Sequence, residues 1–174
     1  MSYYKYKNKK LFVENKSILN LSKRVKTPYY LYSGSQLTNN YLNFIKIFKK
    51  INPLICFSVK SNSNPFILKS LKNLGSGADV VSSGELLKVL KAGIKANKIV
   101  FSGVGKSEEE IKLAIKNKIL LINIESESEA NLINKISKQS NKKTSVGLRL
   151  NPNVYTDTHR KISTGSSTDK FGLS

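Results

Sequence analysis

The sequence predicts an α/β fold in which short parallel strands alternate with helices. Apolar and amphipathic segments follow one another at a spacing of roughly 22 to 25 residues, which is typical of repeated βα units. The apolar segments are continuous hydrophobic runs, as in parallel strands that helices cover. Both an open doubly wound sheet and a barrel fit this pattern. About five or six βα units fit in the chain, so the barrel interpretation makes it an incomplete TIM-type (β/α)8 barrel.

The candidate strands are short and rich in β-branched and aromatic residues. In chain order they are Tyr29 to Tyr32, Leu54 to Val59, Ala78 to Val81, Ile99 to Ser102, Leu120 to Ile124, and Val146 to Leu150. Several lead into small or polar residues, as at Ser61-Asn62-Ser63. Both architectures hold their sites at the carboxyl ends of the strands, so we expect the functional groups there.

Helix start and stop signals lie between these strands. Asn64 followed by Pro65 opens a helix that Gly75 closes, because proline tolerates the first helical position and glycine the left-handed stop. Another helix is expected from Ser83 to Gly93. Ser107 with Glu110 forms a capping box for a third, so helices are predicted between successive strands.

The chain is strongly basic, with a formal net charge of +19 and a pI of about 10.0. Such a charge suggests nucleic acid as a possible partner, because clustered cations displace counterions from phosphates. Here the lysines are scattered, and arginine occurs only at Arg24, Arg149 and Arg160. We therefore interpret the charge as a compositional bias and expect no nucleic-acid partner.

Cysteine and hydropathy patterns argue against disulfide-linked, zinc-binding and membrane-spanning proteins. Cys56 is the only cysteine, which excludes an intramolecular disulfide and suits a reducing cytoplasm. No zinc-type cysteine and histidine spacing is present, so no metal site is predicted. No apolar run approaches the roughly 18 residues of a membrane helix. We expect a cytoplasmic protein without a membrane partner.

The segment Ile55-Cys56-Phe57-Ser58-Val59-Lys60 carries the most chemical information. In a strand, Cys56, Ser58 and Lys60 share one face, and the bulkier residues share the other. If the bulky face packs against helices, the small face leaves room for a ligand beside an amine that can attack an aldehyde. The ordinary alternative is a solvated lysine at a strand end.

Motifs in the right order resemble those of a known family. Phe57-Ser58-Val59-Lys60-Ser61-Asn62 resembles the Tyr-Ala-Val-Lys-Ala-Asn signature of the alanine-racemase-like (fold-type III) decarboxylases, which depend on pyridoxal phosphate (PLP). Gly75 to Leu86 is similar to their Gly-x-Gly-x-Asp-x-x-Ser-x-Gly-Glu-Leu segment. The segments Arg149 to Asn153 and His159 to Gly172 resemble the diaminopimelate decarboxylase branch in particular. Phe57, Ser58 and Ser61 depart from the signature, but none removes the amine.

The resemblance implies roles for individual residues. Lys60 would be the catalytic residue that carries PLP covalently, and Asp79, Glu85 and Arg149 would lie near the cofactor. Each also has an ordinary structural explanation. Asp79 could stabilise a turn, Glu85 could lie at a helix N-terminus, and Arg149 could form a structural ion pair. His159, Ser163 and Thr164 would belong to an active-site loop. We do not expect His159 to act directly.

The implied reaction is the decarboxylation of meso-diaminopimelate to L-lysine and CO2, a step of lysine biosynthesis. The resemblance also implies a small amino-acid substrate and a homodimeric full-length enzyme. Alternatives remain open: a decarboxylase of ornithine, arginine or carboxynorspermidine, a non-catalytic PLP-binding barrel protein, or a basic RNA-binding protein. Salt-sensitive binding to nucleic acid without PLP saturation would favour the last.

The same resemblance suggests a domain division. Residues 1–26 form a basic lead-in that would belong with a C-terminal β domain, and residues 27–174 form a partial PLP-binding barrel. The family's phosphate loop and its residues from the partner subunit lie beyond this segment. We therefore expect the 174 residues by themselves to fold weakly and to be inactive.

Overall fold

A computed structural model describes residues 3–154, 164–165 and 170–173. The chain divides into two compact units, Met1–Pro53 and Leu54–Ser174. None of the helices in these described ranges is long and apolar enough to span a membrane.

The first unit contains a small antiparallel sheet where the sequence had indicated only a basic lead-in. Its strands are β1 (Tyr4–Lys7), β2 (Lys10–Val13) and β3 (Lys16–Ser17), in that spatial order. Asn8 and Lys9, both at positive φ, make the two-residue turn between β1 and β2. This backbone geometry matches the twist of a hairpin, and asparagine tolerates it well.

The first unit also contains the α-helices α1 (Ile18–Ser22) and α2 (Gly34–Ile47), followed by a 3₁₀ turn at Lys49–Ile51. The hydroxyl of Ser33 caps α2 by accepting from the Gln36 amide at 3.0 Å. The Glu14 carboxylate in turn accepts from Ser33 Oγ at 2.7 Å and from the Ser35 amide at 2.9 Å. The turn after β2 is thereby bonded to the start of α2.

The predicted strand from Tyr29 to Tyr32 is wrong. These residues lie in neither a strand nor a helix, and Tyr30 is 89% exposed. A short run of tyrosines has strand propensity, but a strand also needs a neighbour with which to pair. The segment has none among the described residues, so local propensity does not decide its conformation.

The second unit alternates strands and helices. They are β4 (Cys56–Ser58), α3 (Pro65–Asn73), β5 (Gly77–Val80), α4 (Ser83–Lys91), β6 (Ile99–Phe101), α5 (Glu108–Lys116), β7 (Leu121–Ile124), α6 (Glu127–Gln139) and β8 (Val146–Leu148). The five strands are parallel, and their order in the sheet is their order in the chain. A doubly wound sheet reverses its strand order, whereas a barrel does not. The predicted α/β class and incomplete barrel are therefore confirmed.

The core lies between the sheet and its helices. One face of each inner strand is buried there, as with Val80, Phe101 and Ile122, which are fully buried. From the helices, Leu68, Leu86 and Ile111 pack against them. Burying one such side chain stabilises the fold by about 1.5–3 kcal/mol. On the other face, Ser58 of β4, Asp79 of β5 and Asn123 of β7 are polar.

The predicted helix boundaries agree closely with the structure. Asn64 caps α3 by accepting from the Phe66 amide, and Ser82 rather than Ser83 caps α4. The capping box of Ser107 and Glu110 is present in full. Predicted strand ends extend too far by one or two residues, since several strands stop where the chain turns toward the next helix.

Candidate active site

A cavity of about 610 Å³ lies at the carboxyl ends of the parallel strands. It is lined by Lys60, Asp79, Val81, Ser102, Gly103, Val104, Asn123, Glu125, Leu148, Arg149, Thr164 and Phe171. The predicted residues Lys60, Asp79, Arg149 and Thr164 are thus brought together from distant parts of the sequence. Glu85 does not line it. His159 and Ser163 lie outside the described residues.

Lys60 lies just beyond the end of β4. The strand predicted from Leu54 to Val59, with Lys60 at its end, is shorter in the structure: β4 ends at Ser58, and Lys60 occupies a single 3₁₀ turn, Val59–Ser61. The turn is fixed by Val59, which is fully buried, and by Ser61 Oγ, which donates to the Ser58 carbonyl at 2.7 Å. The Lys60 side chain is exposed and borders the cavity.

Asp79 is held by hydroxyl groups from both sides. Ser58 Oγ donates to its Oδ2 at 3.3 Å, and Ser102 Oγ donates to its Oδ1 at 2.5 Å. Asn123 Nδ2 donates to Ser102 Oγ at 2.9 Å, which extends the network to β7. A row of bonded polar side chains therefore crosses the sheet on the face away from the core.

Glu85 acts at the start of α4. Its Oε2 accepts from the Val81 amide at 2.9 Å, and its own amide donates to Ser82 Oγ at 3.3 Å. A carboxylate in the first turn also suits the positive end of the helix. These contacts account for Glu85 as a helix-capping residue that fixes the turn after β5.

Arg149 forms the structural ion pair that was weighed for it, and it also borders the cavity. Its guanidinium donates to Glu125 Oε1 at 2.9 Å and lies 4.8 Å above the centre of the Phe171 ring. The Glu125 side chain is 3% exposed and that of Arg149 is 36% exposed. The ion pair is therefore anchored at the buried carboxylate, while the guanidinium remains accessible from the cavity.

Several residues of this region were not singled out from the sequence. Among them, Lys106 and Glu129 form a buried ion pair with an Nζ to Oε1 distance of 3.0 Å. Glu125 directly follows β7, and the strand-end rule that selected Lys60 could have selected it too. No such rule identifies a lysine that will be buried.

A larger cavity of about 820 Å³ lies between α6 and β8. It is lined by lysines, polar residues and aliphatic residues such as Ile133 and Val146, and includes none of the predicted site residues. Its lining contains no carboxylate that could act together with a nucleophile. No group of three or more histidine, cysteine or acidic residues within the described ranges could hold a metal ion.

Comparisons with known proteins show what this chain is similar to. The diaminopimelate decarboxylase of Helicobacter pylori strain J99 is 49% identical over 148 residues, which are 85% of this chain and 36% of that protein. The diaminopimelate decarboxylase of Haemophilus influenzae is 44% identical over 174 residues, which are 100% of this chain and 42% of that protein. The chain thus spans about two fifths of the length of these relatives.

Solved structures and a family model also match this chain. The structure of diaminopimelate decarboxylase from M. jannaschii in complex with L-lysine is 37% identical, with a TM-score of 0.89 over 98% of this chain and 41% of that chain. The model of the pyridoxal-dependent decarboxylases, pyridoxal binding domain, matches residues 35–174. With this match over most of its length, the chain belongs to the family of pyridoxal-dependent decarboxylases.

Proposed function

We propose that this chain is the cofactor-binding part of a PLP-dependent diaminopimelate decarboxylase, which forms L-lysine and CO2. The observation that carries the proposal is the meeting of Lys60, Asp79 and Arg149 around one cavity within the matched pyridoxal-binding domain. The names of the relatives supply the substrate.

The cavity fits the chemistry of PLP. Its volume of about 610 Å³ lies in the usual range for small-molecule sites. The Lys60 amine suits an aldehyde, the Arg149 guanidinium suits anionic groups, and Val81, Val104 and Leu148 provide apolar surface. When bound, PLP supplies an electron sink for the charge left by the departing carboxylate.

The chain's own residues would hold this chemistry in place. Lys60 Nζ would carry the cofactor and, once the substrate amine has displaced it, return a proton to the α carbon. Asp79, with both carboxylate oxygens bonded to hydroxyls, would present a fixed negative edge to the site. Arg149 would orient an anionic group of the bound molecule.

Assays of the protein expressed from its complete gene test the substrate. We expect release of CO2 from meso-diaminopimelate with formation of L-lysine, and no turnover by the Lys60→Ala variant. Turnover of ornithine, arginine or carboxynorspermidine in place of diaminopimelate would reject the substrate but keep the reaction class. PLP binding without turnover of any amino acid would favour a non-catalytic barrel protein.

We also propose a homodimer for the full-length enzyme, and assignment of residues 1–26 to a C-terminal β domain. The second proposal is supported by the family match, which begins at residue 35, and by the antiparallel sheet of the first unit. The single cysteine, Cys56, supports the cytoplasm as the compartment. Light scattering of the complete protein tests the dimer.

A further inference from the structure

The Glu125 carboxylate joins three segments of the cavity wall. Its Oε1 accepts from Arg149 at 2.9 Å and from the Gly103 amide at 3.1 Å. Its Oε2 accepts from the Gly172 amide at 3.1 Å. A buried carboxylate with several donors keeps one orientation, so Glu125 fixes the position of Arg149 relative to the ends of β6 and β7.

The backbone behind Glu125 is held by the buried pair of Lys106 and Glu129. Glu129 Oε2 accepts from the Glu125 amide at 2.7 Å. Lys106 Nζ donates to the carbonyls of Gly103 and Asn123, each at 2.7 Å, and to Glu129 Oε1 at 3.0 Å. Two protons of the ammonium group therefore bind carbonyls near the ends of β6 and β7, and the third binds the Glu129 carboxylate on α6.

The segment that carries Phe171 is hydrogen-bonded to the backbone of Arg149 and Asn151. The Leu173 amide donates to the Arg149 carbonyl at 2.8 Å, and the Asn151 amide donates to the Leu173 carbonyl at 2.7 Å. Gly172 has a φ of +76°, and a Cβ there would lie 2.9 Å from the Arg149 carbonyl oxygen. Only glycine permits this approach, which brings the Phe171 ring under the guanidinium.

We propose that Glu125 is a positioning residue for Arg149, supported by the Lys106–Glu129 pair. The carboxylate on one side and the Phe171 ring on the other hold the guanidinium in one place at the cavity. Glu125 acts on the bound anionic molecule through Arg149 and does not contact it. This inference rests on the proposed function, in which that molecule is PLP.

A double-mutant cycle on PLP affinity, with the complete apo protein, tests the inference. We expect Glu125→Gln to weaken PLP binding about tenfold, because the amide cannot replace a carboxylate that accepts on both oxygens. In an Arg149→Ala background the same change should alter the affinity by less than about threefold, since the group it positions is gone. Glu109→Gln, on the exposed surface of α5, is the matched control and should leave the affinity unchanged.

The outcomes separate this inference from the proposed function. Covalent capture of PLP at Lys60 in the wild type, by borohydride reduction, tests the function alone. If capture occurs but Glu125→Gln binds PLP as the wild type does, or loses affinity equally in both backgrounds, the positioning role is rejected. Should Glu125→Gln fail to fold, Glu125→Asp is measured instead. Retaining the charge but shortening the reach, it should show a smaller loss that also depends on Arg149.

Discussion

Ser102 Oγ donates a hydrogen bond to Asp79 Oδ1 at 2.5 Å, across the boundary between β5 and the end of β6. The second oxygen of Asp79 accepts from Ser58 on β4. Since the two hydroxyls come from opposite sides, the carboxylate cannot rotate without breaking one of these bonds. Its orientation toward the cavity is therefore set by the sheet itself.

Ser102→Ala should weaken PLP binding about fivefold, because one hydrogen bond of about 1 kcal/mol no longer orients Asp79. Titration of the apo protein with PLP measures the change. Ser70→Ala is the control, since its hydroxyl donates to the Phe66 carbonyl on the exposed surface of α3. Equal affinities for the wild type and Ser102→Ala would show that this orientation is unimportant.

Gly147→Ala should destabilise the fold by about 1–3 kcal/mol. A Cβ at Gly147 would lie 2.5 Å from Asn123 Oδ1, so the asparagine that bonds to Ser102 would have to move. Gly84→Ala is the matched change, because its Cβ would meet only Ser82 Oγ at 3.9 Å, and it should stabilise α4 slightly. Urea denaturation compares the two, and equal midpoints would contradict the close approach.

Glu110 should make the fold sensitive to acid. Burial raises its pKa, but hydrogen bonds from the backbone amides of Ser83 and Ser107 outweigh this, and the net shift is downward. A carboxyl group with a lowered pKa in the folded state stabilises the fold above its usual pKa, and this contribution is lost as the pH falls through the lowered value.

Glu110→Gln should therefore be less stable than the wild type at neutral pH, by about 1 kcal/mol. The difference should shrink as the pH falls through the acid range, where the wild-type carboxyl becomes protonated. Thermal melts over a pH series measure it, with Glu109→Gln as the control on the same turn. A difference that does not change with pH would show that the Glu110 charge has no role.

Cys56 should react slowly with alkylating reagents. Burial raises the pKa of its thiol, and the negative charge of Asp79 raises it further, so less thiolate is present at neutral pH. Its alkylation should be slower than that of a cysteine in an unfolded peptide. The rise of the alkylation rate with pH should also occur at a higher pH than in that peptide. Asp79→Asn should increase the alkylation rate of the native protein. An unchanged rate would show that the Asp79 charge does not raise the pKa of the Cys56 thiol.

The sequence predicted those features that depend on local chemistry and regular spacing. The capping box at Ser107 and the helix between Asn64 and Gly75 need only nearby residues, and both are present. The parallel order of the strands followed from their continuous hydrophobic runs. The strand expected at Tyr29 to Tyr32 was wrong, because pairing depends on a neighbour that local sequence does not specify.

The candidate site was predicted in part. Lys60 and Arg149 follow strands, Asp79 lies within β5, and the parallel sheet brings the three residues together. Glu125 and the buried Lys106 were missed for a physical reason. Most lysines are solvated, and only the tertiary structure shows that three acceptors surround Lys106 Nζ. Whether Glu85 has a part beyond capping α4 stays a prediction, and so do the roles of His159 and Ser163.

The central claim is that Lys60 carries PLP, and covalent capture tests it most directly. The complete protein is incubated with PLP, reduced with borohydride, digested and analysed by mass spectrometry. We expect the reduced cofactor on the peptide that contains Lys60, and its loss in Lys60→Ala but not in Lys69→Arg, whose substitution lies on the exposed surface of α3. A folded protein that captures no PLP, or captures it at another lysine, would contradict the account.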